Sequence, residues 1–71
     1  MSLVQENIVR VIEEKALVKK GVARRAGMTA QALSDIITGR KTIKADMVPN
    51  IASALGVPIT ELFKDDSIKG A

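Results

Sequence analysis

The chain has 71 residues, 46% of them hydrophobic, and a formal net charge of +3, which allows one domain and no more. It contains no cysteine and no histidine, which excludes disulfides, thiolate zinc sites, cysteine nucleophiles and histidine general bases. The remaining carboxylates, lysines and hydroxyls form no catalytic constellation, so we expect neither an enzyme nor a metal or cofactor site. No membrane span or signal peptide is evident, and a soluble cytoplasmic protein is expected.

The charge is distributed unevenly along the chain. Residues 15–44 carry eight lysines and arginines against one aspartate, a balance of +7, whereas the segments before and after carry −2 each. A basic middle between acidic flanks indicates a polyanionic partner for the middle. A solvated surface of uneven charge is the alternative explanation.

The first two predicted helices are short. Residues 3–15 place apolar side chains on one face, and Ser2 with Gln5 forms the pattern of a capping box. Residues 19–26 form the second helix, and Gly27 stands where a helix end favours a residue that tolerates positive φ.

The third predicted helix covers residues 30–38. Thr29 is a suitable N-cap, and Gly39 occupies the position after the helix end. A basic loop over residues 40–44 follows.

Two further helices complete the predicted domain. The fourth begins near residue 45 or 46 and ends at residue 55, because Pro49 is tolerated only within a first helical turn. The fifth covers residues 58–63. We therefore predict one domain over residues 1–64 and a flexible C-terminal tail over residues 65–71.

The segment 18–39 has the features of a helix-turn-helix, in which the second helix enters the DNA major groove. This arrangement needs a small residue where the helices cross, a glycine in the turn and apolar residues behind the second helix, and these are Ala23, Gly27, Met28, Leu33 and Ile36. The side chains that then point outward are Ala30, Gln31, Ser34 and Asp35.

Four motifs occur along the chain in the following order: Ala26-Gly27-Met28-Thr29, Leu33-Ser34-Asp35-Ile36-Ile37-Thr38-Gly39, Ile51-Ala52-Ser53-Ala54-Leu55-Gly56-Val57 and Glu61-Leu62-Phe63. Together they resemble the lambda-repressor-like, or XRE, family of helix-turn-helix domains, without a gap from Leu17 to Phe63. The resemblance implies an all-α fold, a compact five-helix lambda-repressor-like DNA-binding domain. It also implies a prokaryotic or phage transcriptional regulator.

The sequence departs from the family pattern at several positions. Val18 and Lys19 replace the usual Ser and Gln at the start of the second helix, so a side-chain cap is lost. The Asn-Pro often found before the fourth helix is Thr42-Ile43. Ile12 and Ile37 occupy the positions of an Arg–Glu pair. We predict that they touch, so that a hydrophobic contact replaces the ion pair. Such a replacement avoids the cost of burying two charges, which is several kcal/mol per ion.

Residues predicted to contact DNA fall into two groups. The base-contacting candidates are Ala30, Gln31, Ala32, Ser34 and Asp35, and the phosphate-contacting candidates are Lys19, Lys20, Thr29, Thr38, Arg40, Lys41 and Lys44. Gln31 is the best base reader, since its amide can bond adenine twice. Asp35 either accepts from cytosine or pairs with Arg40 or Lys41. Arg24 and Arg25 are assigned to solvent.

The predicted partner is double-stranded DNA, bound by a homodimer, with no membrane or small-molecule ligand. The candidate dimer surface consists of Val57, Ile59, Phe63 and Ile68, although Leu62 and Phe63 are better candidates for the core. The regulator could be a phage-type repressor, a controller of a restriction–modification system or an antitoxin. The alternative is a protein-interaction module, such as an antitoxin-type partner, with weak or lost DNA binding.

Overall fold

A computed structural model of the chain describes residues 2–65. In this part of the chain there are four α-helices and two 3₁₀ turns, and no strand. The helices are α1 (Leu3–Glu14), α2 (Lys19–Ala26), α3 (Ala30–Thr38) and α4 (Val48–Leu55), and the 3₁₀ turns are Ala45–Met47 and Ile59–Phe63. The all-α prediction is confirmed. The predicted tail, residues 65–71, lies outside the described residues except for Asp65.

Helix α1 begins at the predicted capping box. The Ser2 hydroxyl accepts a hydrogen bond from the Gln5 N–H at 3.2 Å, and the Gln5 side-chain oxygen accepts from the Ser2 N–H at 3.4 Å. The predicted apolar face is buried, with Ile8, Val11 and Ile12 in the core. The helix thus presents one continuous apolar face to the rest of the domain.

The last two helical segments differ in type from the prediction. Residues 45–47 form a 3₁₀ turn, and the α-helical geometry starts only at Val48, which places Pro49 at the second helical position. A proline there loses no intrahelical hydrogen bond, since the first N–H groups of a helix have no acceptor. The predicted fifth helix is likewise a 3₁₀ turn, Ile59–Phe63, whose short length suits this tighter geometry.

The core is aliphatic. Its most deeply buried large side chains come from all four helices and the C-terminal turn, and they are Ile8, Val22, Leu33, Ile51 and Leu62. Helix α2 packs mainly against α4, and the C-terminal 3₁₀ turn packs against α1. Helix α3 buries Leu33 and Ile36 on one face, and its opposite face remains available for binding.

The replaced ion pair fits this core. Ile12 is 5% exposed, and Ile37 is half-buried and packs against the core cluster. Hydrophobic packing at both positions avoids the cost of desolvating two charges. Direct contact between the two side chains stays a prediction.

Candidate nucleic-acid interface

The turn between α2 and α3 is fixed by backbone geometry. Gly27 has φ +78°, a left-handed conformation that is readily available to glycine. The N–H of Gly27 donates to the Arg24 carbonyl at 3.1 Å, and that of Met28 donates to the Ala23 carbonyl at 2.9 Å. Ala23 is almost fully buried, as the predicted close crossing of the helices requires. These bonds hold α3 at a defined angle to α2.

Helix α3 is anchored from behind and at its end. Leu33 and Ile36 are buried in the core. The Gln5 side-chain N–H₂ donates to the Ile37 carbonyl at 3.1 Å, so α1 holds the last turn of α3 through a long-range hydrogen bond. In the sequence, Gln5 is recognisable only as part of the capping box. Its second role was missed because it depends on the tertiary approach of α1 and α3.

The predicted base-contacting residues lie on one side of α3, but with unequal exposure. Ala30 and Gln31, in the first turn, are exposed, whereas Ala32, Ser34 and Asp35 are half-buried. Gln31 Nε2 donates to Asp35 Oδ1 at 3.0 Å. The alternative prediction, an ion pair between Asp35 and Arg40 or Lys41, is wrong for the described residues, 2–65, since the side-chain partner of the carboxylate is Gln31.

The two predicted phosphate-contacting threonines are in different situations. The Thr29 hydroxyl oxygen accepts from the Ala32 N–H at 3.0 Å as the N-cap of α3, which leaves its hydroxyl hydrogen available. The Thr38 hydroxyl donates to the Ser34 carbonyl at 2.9 Å. Thr29 can donate to an anion without breaking a bond, and Thr38 cannot.

Seven basic side chains lie on α2 and in the loop that follows α3. Among the described residues 2–65, none of them forms an ion pair or a side-chain hydrogen bond: Lys19, Lys20, Arg24, Arg25, Arg40, Lys41 and Lys44. All seven are exposed. Lys15, counted with them in the sequence, is instead engaged elsewhere, because its Nζ donates to the carbonyls of Leu55 and Gly56 at 3.2 and 3.3 Å.

The two arginines of α2 do not share a surface. An open cleft beside the start of α3 is lined by Lys20, Arg24, Gly27, Met28, Thr29 and Ala30. Arg25 lines a different groove, with Val18 and Leu17. Both arginines are exposed, as their assignment to solvent predicts, but that assignment did not foresee that Arg24 lines the cleft beside α3. The four-residue spacing from Lys20, which places both cations on one helix face, was the pattern that could have identified it.

Helix α2 begins without a side-chain cap, as the replacement of Ser by Val18 predicts. Val18 is 72% exposed and makes no cap hydrogen bond. The first N–H groups of α2 therefore lack a side-chain acceptor, and they lie next to Lys19 and Lys20.

The C-terminal turn contains Leu62 and Phe63, which were both predicted to lie in the core, but only one of them is buried. Leu62 is fully buried, but Phe63 is 53% exposed, so the core assignment of Phe63 is wrong. Ile59 is also exposed, at 41%, while Val57 is half-buried against the core. Ile68, the fourth residue of the candidate dimer surface, lies outside the described residues.

A polar network joins this turn to α1. The buried Asn7 side chain donates to the Leu62 and Lys64 carbonyls, both at 2.8 Å. Arg10 contacts the Glu61 carboxylate at 3.2 Å. The Arg10 hydrogen bond, followed by the charge of Lys64, lowers the pKa of Glu61. Polar groups at this end of the domain are thus engaged in the fold.

The fold and the surface together define a class of protein, a small helix-turn-helix domain with a basic surface around its second helix. The sequence model of the helix-turn-helix family matches residues 11–62. The chain belongs to this family, of the XRE or lambda-repressor-like type, and its class of function is DNA binding in transcription regulation.

The chain is also similar in structure to a protein of known structure. The crystal structure of the hypothetical transcription factor NHTF from Neisseria superposes with a TM-score of 0.81 at 21% sequence identity, covering 94% of this chain and 77% of that one. At this identity the similarity establishes the fold alone. No curated protein matches the chain in sequence. No helix within residues 2–65 has the length and apolar character needed to cross a membrane.

Proposed function

We propose that this protein is a sequence-specific, repressor-like transcriptional regulator of a prokaryote or phage, acting in the cytoplasm on double-stranded DNA. Helix α3 enters the major groove and presents Gln31 to the bases. The observation that carries the proposal is the exposed first turn of α3, which lies beside a cleft lined by Lys20 and Arg24, two cations without acidic partners within residues 2–65. A major groove about 12 Å wide admits one such helix, with phosphates on either side of it.

The phosphate contacts come from two sides of α3. Lys19, Lys20 and Arg24 lie on α2, and the loop over residues 40–44 supplies Arg40, Lys41 and Lys44. Thr29 adds a neutral hydroxyl donor beside the cleft that Lys20 and Arg24 line. Each phosphate neutralised releases a counterion, so log K falls by about 0.9 per contact for each log unit of salt. We expect a steep salt dependence.

Thr38 is a weaker candidate for phosphate contact. Its hydroxyl already donates to the Ser34 carbonyl within α3. A phosphate oxygen can only accept, so the hydroxyl would have to leave that carbonyl first. We retain Thr38 as a proposed contact of smaller effect than Thr29.

We propose that the regulator binds as a homodimer through its C-terminal turn. Phe63 and Ile59 are both exposed in that turn, whereas Leu62, which lies between them in sequence, is fully buried. Regulators with this fold bind two half-sites about one helical turn apart, and a two-fold axis doubles the number of bases that one short helix can contact. A palindromic operator is the expected consequence.

The structural neighbour supports the regulatory role without specifying it. The protein from Neisseria is named as a hypothetical transcription factor, and this chain covers 77% of it. The same fold serves phage repressors, restriction controllers and antitoxins, and among these we propose the repressor-like role.

The second candidate function is a protein-interaction module, such as an antitoxin-type partner, with weak DNA binding. The observation that favours it is the modest reading surface, in which Ala30 and Ala32 offer only methyl groups and Asp35 repels phosphate. The six cations proposed as phosphate contacts, none of which forms an ion pair within residues 2–65, argue against it, because a protein partner of ordinary composition does not require them.

The test is selection from random duplex DNA at several salt concentrations, with the wild-type protein and Gln31→Ala. Asn50→Ala, which removes an exposed amide on α4, is the matched control. Enrichment of a two-fold symmetric motif, relaxed by Gln31→Ala alone, supports the dimeric sequence-specific regulator. Salt-sensitive binding without a motif contradicts sequence specificity. Absence of binding at low salt would move the protein-interaction module to first place.

A further inference from the structure

The side chains of Gln31 and Asp35 are joined across one turn of α3. Gln31 Nε2 donates to Asp35 Oδ1 at 3.0 Å, as expected for residues four apart on one helix face. No lysine or arginine within residues 2–65 pairs with this carboxylate, although Arg40 and Lys41 follow closely in sequence. Gln31 therefore has a fixed partner inside the surface proposed to meet the bases.

This hydrogen bond changes what the glutamine amide can offer to a base. A free amide has two N–H donors and one oxygen acceptor, and a carboxylate can only accept. Because Asp35 takes one of the two hydrogens, Gln31 is left with one donor and the acceptor oxygen. The pair of groups available to DNA is one donor beside one acceptor.

Only one purine matches that pair in the major groove. Adenine presents the N7 acceptor and the N6 donor, whereas guanine presents two acceptors, N7 and O6. Against guanine, the amide oxygen of Gln31 would face a second oxygen, or the bond to Asp35 would have to break. The bond to Asp35 therefore favours adenine over guanine at the base that Gln31 contacts.

We propose that Asp35 is a positioning residue that makes Gln31 selective for adenine, and that it does not itself contact a base. The inference rests on the proposed function and deepens it, since it names the base and the device that selects it. Asp35 is half-buried and Gln31 is exposed, so the glutamine is the more accessible of the two to a base.

Removing Asp35 has two separable consequences. Loss of a negative charge near the phosphates strengthens binding to every sequence, because the repulsion disappears. Loss of the hydrogen bond frees the second amide hydrogen, so guanine becomes acceptable to Gln31. The ratio of the two affinities isolates the second consequence, since the charge acts equally on both duplexes.

The experiment measures affinity for paired duplexes that carry adenine or guanine at the Gln31-dependent position of the selected motif. The proteins are wild type, Gln31→Ala, Asp35→Ala and the double variant. Asp46→Ala is the charge-matched control, because Asp46 is an exposed acid in the 3₁₀ turn Ala45–Met47. Asp35→Ala should lower the adenine-to-guanine ratio about three- to tenfold, the size expected for one hydrogen bond. Asp46→Ala should leave the ratio unchanged.

The double variant distinguishes positioning from direct contact. If Asp35 acts through Gln31, the double variant has the same base preferences as Gln31→Ala. A change of preference at a second base pair, retained when Gln31 is absent, would show that Asp35 contacts a base and would overturn the inference. An unchanged ratio in Asp35→Ala would also overturn it. Both results leave sequence-specific binding intact, whereas a wild type without any motif removes the proposed function as well.

Discussion

Basic side chains occur at both ends of this domain, but they have different surroundings. At the end formed by α1 and the C-terminal 3₁₀ turn, Arg10 contacts Glu14 and Glu61, and Lys64 contacts Glu61. On α2 and in the loop that follows α3, seven lysines and arginines have no ion pair within residues 2–65. The charges at the α1 end are thus paired within the fold, whereas those on α2 and in the loop after α3 remain available to a partner.

Because of this difference, charges that are paired within a small domain must be counted separately from charges that are left unpaired. Unpaired like charges repel one another and lower stability, so a cluster of them is retained against a cost to the fold. The cluster becomes favourable when a polyanion neutralises it. Substitutions at the α1 end should therefore change stability, and substitutions around α3 should change DNA affinity.

The largest expected effect is loss of stability in Asn7→Asp. The buried Asn7 N–H₂ group donates to two carbonyls, and the oxygen that replaces it in aspartate would face those two acceptors, although Arg10 still donates to the other oxygen at 3.3 Å. We expect a loss of about 2–3 kcal/mol in the free energy of unfolding, measured by urea denaturation. Asn50→Asp, the same change at an exposed site, should remain within about 0.5 kcal/mol of wild type. Equal effects of the two variants would contradict the role of Asn7.

Next in size is the double variant Lys20→Gln and Arg24→Gln, which tests the cleft beside α3. Affinity for DNA should fall by about tenfold for each lost contact. The slope of log K against log salt should decrease by about 1.8 in total. The free energy of unfolding should not fall, since neither side chain has a partner within residues 2–65.

Arg25→Gln is the matched control for that cleft, because Arg25 lies on the same helix but lines another groove. Fluorescence anisotropy with one duplex at several salt concentrations measures wild type, the double variant, Arg24→Gln and Arg25→Gln. If Arg25→Gln reduces the slope as much as Arg24→Gln does alone, the cleft has no special role.

A smaller effect is expected from Gly39→Ala, at the joint between the two regions. Gly39 has φ +86°, and a Cβ there would lie 3.2 Å from Gln5 Nε2, the atom that holds the end of α3. We expect a loss of about 1–2 kcal/mol in thermal or urea unfolding. Gly21→Ala should have the opposite sign, a gain of about 0.5–1 kcal/mol, because Gly21 is helical with open space around it. Two changes of the same sign would refute this contrast.

The smallest effect concerns the pH dependence of the α1 end. The Arg10 hydrogen bond and the Lys64 charge lower the pKa of Glu61 from its ordinary value of 4.5. A carboxyl whose pKa is lower in the folded chain stabilises the fold above its ordinary pKa, and this contribution disappears as the pH falls through the folded value. Glu61→Gln should therefore be less stable than wild type at neutral pH, with the difference vanishing in acid. A difference independent of pH would exclude the ionic origin.

The secondary structure followed closely from local patterns in the sequence. Thr29 caps α3 and Gly39 ends it because side-chain oxygens and left-handed glycines act on neighbouring backbone groups. The predicted start of α4 was less accurate, because Pro49 allows the residues before it to form either a 3₁₀ turn or the beginning of the α-helix. Local chemistry predicts where a helix ends more reliably than how tightly its first turn winds.

The all-helical fold and the positions of the helix-turn-helix elements followed from the sequence, because periodicity, caps and turn glycines are local properties. Which charged and apolar side chains are engaged between helices depended on the tertiary structure. Lys15 lies on the end of α4, Lys20 and Arg24 line a cleft with the start of α3, and Phe63 faces outward beside the buried Leu62. Each of these depends on which helices approach one another, and packing sets that approach over distances that sequence spacing does not encode.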